Sequence, residues 1–366
     1  MGDRTKRLTV ASMGLVAAAV LSLCAGCSSS SAAPATNQPV PAPGNAPAKG
    51  PAVPSPGCSI PTTEPGLPAV SDQKVTIEVD GVPRWYLLNE PSNTVPAPGG
   101  TDTTPRPLVL DFHGLEEGAE VHSVTTQFGA LGNTDGFVTV FPNATGNPLE
   151  WNTTSRTGNA DLDYVTALLT QVESTQCIDT SRVYASGLSD GSFMVSLLAC
   201  TMSDKFAAIA AVSGLQLPRP CHTTRRVPIL AFHGTADPIL YFNGGIGTGT
   251  LDKILGHGAS AGSSTTTTTL PKANLHGAGY PATVQAWAVK DGCNPHATDT
   301  RKSSQVILRT YRCPPGTDVE FYIIVGGGHA WPGSAFSRSI SDLTGFTTFQ
   351  INATDTIWSF FRRFQL

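Results

Sequence analysis

Residues 183–200, VYASGLSDGSFMVSLLAC, run an apolar strand into Gly187-Leu188-Ser189-Asp190-Gly191 and then into an amphipathic helix. A strand that becomes a helix within a few residues strains the backbone at the turn. Only small neighbours let the chain fold that sharply and lift the serine Oγ above the sheet edge. The pentapeptide therefore makes Ser189 a candidate nucleophile, and it commits the chain to strands that feed helices.

The rest of the chain keeps that promise. Strands are expected at 107–112 (PLVLDF), 136–141, 182–186, 206–212, 227–233 and 319–325, alternating with helical patterns such as 160–176 and 281–291. Such alternation predicts an α/β fold, a mostly parallel central sheet covered by helices on both faces. Residues 75–79 and 85–88 flank Asp80-Gly81 and read as an antiparallel hairpin. A helix opening at Asn352 carries Ile357, Trp358, Phe360 and Phe361 and is read as core packing.

A serine hydroxyl is a weak nucleophile at neutral pH. It needs a histidine base, and the imidazole needs a carboxylate to fix its tautomer and balance the charge it acquires. Asp237 follows the strand 227–233 in GTADP, and His329 follows 319–325 in GGGHAWPG, each at a strand end and in the order nucleophile, acid, base. A tetrahedral intermediate also needs N–H donors for its oxyanion. One is the Asp190 N–H, just after Ser189. The second is assigned to Leu115 N–H, in the His113-Gly114-Leu115 loop after the first buried strand. Trp331, Trp151 and His113 are expected to line the substrate site, since aromatic rings offer large contact area with a polar tip.

These pieces are similar to those of the secreted polyhydroxybutyrate depolymerase and feruloyl esterase family of α/β-hydrolases. LVLDFHG, GFVTVFP, CIDTSRVYASGLSDG, AFHGTADP and GGGHAWPG carry the resemblance across roughly residues 70–365. It implies an α/β-hydrolase fold in a single domain and a serine esterase with Ser189, Asp237 and His329 as its triad, an oxyanion donor at Leu115, and no cofactor or metal. The substrates it implies are feruloyl, hydroxyalkanoate or short acyl esters, polymeric ones included. Two positions depart from the family pattern, which usually has cysteine at 115 and asparagine at 190. Both act through backbone N–H, so catalysis is expected to survive. The carboxylates of Asp190, Glu116 and Glu117 are expected to disfavour anionic substrates. Acyl transfer from the same acyl-enzyme, or a non-catalytic surface-binding role on this scaffold, are the alternatives.

Location and organisation are read from the flanks. Arg4, Lys6 and Arg7 precede an apolar run over 10–23 that ends Cys24-Ala25-Gly26-Cys27, the pattern of a signal peptide with a lipobox-like end at 1–27. Cys27 is the expected lipid attachment site of an extracellular, cell-surface lipoprotein; cleavage and release is the alternative. Residues 28–57 are Ser-, Ala- and Pro-rich and cannot bury enough surface to fold. Extended, about 30 residues at roughly 3.1 Å each give a tether on the order of 90 Å. Residues 58–366 form the catalytic domain, with a Gly/Ser/Thr-rich insertion at about 244–279 read as a solvated linker or a lid.

Six cysteines remain in that domain, an even number suited to an oxidising compartment. Proximity along the chain favours Cys293 with Cys313 and Cys200 with Cys221, which leaves Cys58 for Cys177, among fifteen possible pairings. No cysteine or histidine cluster has zinc spacing. Charged residues make up 14% and the net charge is −4 with no basic stripe, so the expected partner is an ester substrate, the membrane is met only through the lipid anchor, and no nucleic acid is bound.

Overall fold

The computed structural model describes residues 50–61, 67–92, 101, 103–154, 157–247, 249, 255 and 270–366. The expected signal peptide, Cys27, most of the tether and the Thr265–Thr269 run of the insertion lie outside them.

Buried strands come first, because their apolar runs leave the backbone no other way to satisfy its hydrogen bonds. β3 (Arg106–Phe112), β4 (Val138–Pro142), β5 (Ile178–Leu188), β6 (Ala208–Val212), β7 (Ile229–Gly234) and β10 (Val319–Ile324) make a parallel core. Antiparallel strands extend it on both sides: β1 (Val70–Val79) and β2 (Val82–Glu90) beyond β4, β9 (Val306–Tyr311) and β8 (Ala297–Arg301) beyond β10. The order is β1-β2-β4-β3-β5-β6-β7-β10-β9-β8. This is the mostly parallel α/β sheet that the strand and helix pattern predicts.

Side chains alternate between the two faces with the strand period of two. Leu108, Leu110 and Phe112 on β3, with Ile209 and Ala211 on β6, face one core. It is covered by α3 (Ala160–Thr175), α4 (Asp190–Thr201) and α5 (Tyr280–Lys290) through Tyr164, Leu168, Val195, Leu198 and Trp287. Val109, Tyr184 and Phe232 face the other core. There α1 (Gly118–Thr126), α2 (Phe128–Asp135) and α8 (Ala353–Phe361) cover the sheet, with Phe361 stacked on Tyr184 at 4.8 Å between ring centroids. Two short helices, α6 (Ala335–Ser339) and α7 (Ser341–Thr344), lie between β10 and α8.

The disulfides join Cys200 to Cys221 and Cys293 to Cys313, the pairs that chain proximity favours, and Cys58 to Cys177, the pair those two leave. The start of the domain differs from expectation. Residues in the last part of the expected tether are docked: Val53 N–H donates to Asp179 Oδ1 at 2.9 Å, and Ser55 donates from N–H to Ile178 O and from Oγ to Gln176 O, both at 2.8 Å. The acceptors lie at the entry to β5, more than a hundred residues away, so local composition carries no trace of them. At the insertion, the described feet are tied together. Asn243 Oδ1 accepts Asn274 N–H at 2.6 Å, and its Nδ2 donates to Asn274 O and Ala278 O at 2.8 and 2.9 Å.

Candidate active site

Four neighbouring parallel strands bring the candidate residues to one edge. Ser189 follows β5, Asp237 follows β7 and His329 follows β10, with β6 between β5 and β7. Ser189 has φ +56° and ψ −115°, a backbone state costing about 1–3 kcal/mol in a non-glycine residue. Close packing holds it there. A Cβ at Gly191 would lie 2.0 Å from Phe112 O, and one at Gly187 would lie 2.6 Å from the Gly191 carbonyl. Ser189 N–H donates to Val212 O at 2.9 Å, and Ser192 Oγ bonds Gly187 O and Val212 O at 2.7 and 2.6 Å, which pins the first turn of α4 to two strand ends.

Asp237 and His329 meet directly. His329 Nδ1 donates to Asp237 Oδ2 at 2.8 Å, which leaves Nε2 as the basic atom. Asp237 Oδ1 accepts the N–H groups of Ile239 and Leu240, both at 2.8 Å. Burial alone would raise the Asp237 pKa, but His329, His233 and these N–H groups outweigh it and hold the carboxyl below its usual range. His329 is fixed by its backbone too, through its N–H to Thr344 O at 2.6 Å. Among the described residues, the Ser189 hydroxyl makes no hydrogen bond to His329.

His233, the last side chain of the buried strand expected over 227–233, is a site residue to which the sequence reading gave no role. Its Nε2–H donates to Leu240 O at 2.8 Å and lies 3.3 Å from Asp237 Oδ2, while its ring stacks on Tyr280 at 3.6 Å. Burial lowers its pKa to about 4 against the pull of Asp237, so it is neutral at pH 7 and leaves the Asp237 charge to His329. A polar residue closing a buried strand was the available signal.

Near Ser189, the backbone N–H groups of Leu115 and Asp190 make no hydrogen bond among the described residues. The Leu115 loop passes close to the elbow, since a Cβ on Gly114 would lie 3.4 Å from Ser189 Cβ. His113, Trp151 and Trp331, expected to line a substrate site, are all buried and hydrogen-bonded within the protein. His113 Nε2 accepts Ala144 N–H at 3.0 Å, so its Nδ1–H donates to Gly114 O at 2.7 Å. Burial lowers its pKa to about 4. Trp151 Nε1 donates to His113 O at 2.9 Å, and Trp331 Nε1 donates to Thr354 Oγ1 at 3.0 Å. Each ring found its polar partner inside the protein, which is what a buried indole requires.

The carboxylates expected to face the cleft are also committed elsewhere. Glu116 Oε1 accepts Leu149 N–H and Asp190 Oδ2 accepts Trp151 N–H, both at 2.7 Å, and Glu117 pairs with buried His122 at 3.0 Å.

Residues 92–247 match the family model described as esterase PHB depolymerase. The chain is 28% identical to the putative esterase NocK of Nocardia uniformis subsp. tsuyamanensis over 90% of its own length and 94% of that protein. It is 30% identical to the bifunctional acetylxylan esterase/xylanase XynS20E of Neocallimastix patriciarum over 44% of its length, and 25% identical to feruloyl esterase B of Piromyces equi over 63%. It spans only 22% and 41% of those two longer proteins.

Proposed function

We infer that this chain is a carboxylic ester hydrolase of the polyhydroxybutyrate depolymerase and feruloyl esterase family, a reading supported by the family-model match and the esterase relatives, and that it works through an acyl-enzyme formed on Ser189. The observation that carries this reading is the 2.8 Å bond from His329 Nδ1 to Asp237, held at the same sheet edge as a strained Ser189 flanked by two free N–H groups.

The chemistry follows from those atoms. The substrate carbonyl oxygen points at Leu115 and Asp190 N–H. Ser189 Oγ attacks the carbonyl carbon as His329 Nε2 takes its proton, and the imidazolium is balanced by Asp237. His329 then gives the proton to the departing alcohol. Water, deprotonated by the same Nε2, releases the acid and restores Ser189. The Ser189–His329 hydrogen bond closes when substrate enters, as catalytic hydrogen bonds commonly tighten in the Michaelis complex.

The substrate class proposed is a neutral carboxylic ester with a feruloyl, hydroxyalkanoate or short acyl group. Export is part of the proposal. The three disulfides suit an oxidising compartment, and Cys27 would carry the lipid. The deciding experiment is hydrolysis of methyl ferulate, a 3-hydroxybutyrate oligomer and an aryl acetate by the full chain, with Ser189→Ala as the blank. A preference that vanishes in the variant is expected. Turnover of none, or equal residual turnover in Ser189→Ala, would overturn the mechanism.

A further inference from the structure

Beneath the loop that carries Leu115 lies a charged cluster that the mechanism above does not use. Asp111 sits in the middle of an apolar run on β3 and is fully buried, as is His122 on α1. His122 Nε2 faces Asp111 Oδ2 at 3.3 Å, and its Nδ1 faces Glu117 Oε2 at 3.0 Å. A buried carboxylate is tolerated only with a cation or a set of donors, and an imidazole between two carboxylates supplies the cation. Burial opposes charge on His122, but Glu117 and Asp111 outweigh it and raise its pKa. The same pairing with His122 overcomes burial at Glu117 and lowers that carboxyl. His113 is the other titratable group close to this pair, and it is neutral at pH 7. The rings of Phe141 and Trp331 close the remaining sides of His122 edge-on, with centroids 6.2 and 6.0 Å away.

The cluster reaches the reacting end of the molecule through Glu117. Its Oε2, besides meeting His122, accepts the Gly114 N–H at 2.7 Å, and its Oε1 accepts Thr125 Oγ1–H at 2.9 Å. Glu117 N–H returns to Gly114 O at 3.2 Å, the same carbonyl that His113 Nδ1–H holds at 2.7 Å. Both polar atoms of the Gly114 backbone are thus fixed from opposite sides. Leu115 N–H, one residue on, inherits its direction from them. On the far side, Ser186 Oγ donates to Asp111 Oδ1, so the same cluster grips β5, the strand that leads into Ser189.

We propose that His122 and Glu117 are positioning residues of the oxyanion hole: His122, clamped between Asp111 and Glu117, holds Glu117 so that its carboxylate fixes Gly114 and aims Leu115 N–H at the substrate oxygen. The proposal rests on the ester hydrolase reading for its kinetic part alone. An N–H that is misaimed still lets substrate bind, so the loss falls on kcat.

The test uses the full chain with Glu117→Ala, Glu117→Gln and His122→Gln. The Gln at 117 keeps an oxygen that can accept Gly114 N–H, whereas Ala removes it. Glu117→Ala is expected to lower kcat for an aryl acetate by about 10²-fold, the scale of an oxyanion donor lost or displaced by an ångström, with KM changing little; the broken buried ion pair also lowers the thermal midpoint, but not in the order of the kcat losses. Glu117→Gln recovers most of that loss, and His122→Gln falls between the two. Binding of a phenylboronic acid, which forms a tetrahedral adduct on the serine, weakens in the same order. Hydrogen exchange at 113–117, read without any substrate, speeds up in Glu117→Ala and His122→Gln, so the positioning claim is judged even if no ester is turned over. Losses that track the thermal midpoint across the variants, or equal losses in Gln and Ala at 117, would overturn the proposal. So would unchanged exchange, and if Glu117→Ala does not fold, the comparison of Glu117→Gln with His122→Gln and the wild type carries the same decision.

Discussion

Asp237 makes four contacts with two oxygens, and the division of labour between them decides what a substitution would do. Oδ1 takes two backbone N–H groups, and Oδ2 takes His329 Nδ1–H with His233 Nε2–H nearby. In Asp237→Asn the amide oxygen keeps the backbone pair, which sets an NH₂ group against two imidazole N–H groups. His329 must then take the other tautomer, losing the basic Nε2. Steady-state kinetics should show kcat lower by on the order of 10⁴-fold with the fold retained, and a loss under tenfold would contradict the assigned role. Asp190 gives a different kind of prediction. Burial lifts its carboxyl to about 6 even though Trp151 N–H opposes the shift. A raised carboxyl favours the protonated form, so its contribution to stability is full below its usual value near 4 and is lost as pH rises through about 6. Asp190→Asn stays neutral throughout. Its thermal midpoint should gain on the wild type between pH 4 and pH 7, and parallel curves would contradict this. Because the backbone N–H is unchanged, kcat for a neutral ester should fall far less than the roughly 10²-fold of a lost donor.

At the scale of elements, the elbow is a contact between β3, β5 and α4 that only glycine permits. Gly191→Ala drives a methyl to within 2.0 Å of Phe112 O, a backbone atom that cannot swing aside. Overpacking of that kind costs about 1–3 kcal/mol or more, and it pushes α4 and the Asp190 N–H off the sheet edge. Urea unfolding should show the loss of stability, and kcat should fall further than stability alone accounts for; an alanine variant of wild-type activity would mean that the elbow is looser than drawn. The same contacts explain what could be read in advance. Apolar runs such as PLVLDF and VPILAFH announce buried strands because both of their faces are covered, and Ser189, Asp237 and His329 each follow such a run. α1 escaped notice because its buried face is Ala119, His122, Ser123, Thr125 and Thr126, with no apolar stripe to give a helical period. β8 was hidden for the opposite reason. Its ATDTR residues are all exposed, as suits a charged strand that closes a sheet edge. The partners of His113, Trp151 and Trp331 are set by tertiary contacts with residues 23 to 38 positions away, which no local pattern encodes.

Over the whole molecule, the disulfides sort by how much chain each one closes. Cys58–Cys177 spans 119 residues, against 21 for Cys200–Cys221 and 20 for Cys293–Cys313, and the three loops neither nest nor overlap. A cross-link acts mainly on the unfolded chain, so its effect grows with the logarithm of the loop it closes: about 5 kcal/mol for the long loop and about 3 kcal/mol for each short one. The long loop holds β1 through α3, the Leu115 loop and the His122 cluster, while Ser189, Asp237 and His329 all lie outside it. It also fastens the docked residues around Val53 and Ser55 to the entry of β5, so the native state has contacts there that hold without the bond. Replacing both cysteines of one pair by serine should therefore lower the thermal midpoint in all three cases and most for Cys58 with Cys177. Its kcat, measured below the midpoint, should stay close to the wild type because the strand ends that carry Ser189, Asp237 and His329 are tied elsewhere. Equal midpoints for the long and short pairs would show that native-state strain or residual structure, rather than loop closure, governs these bonds.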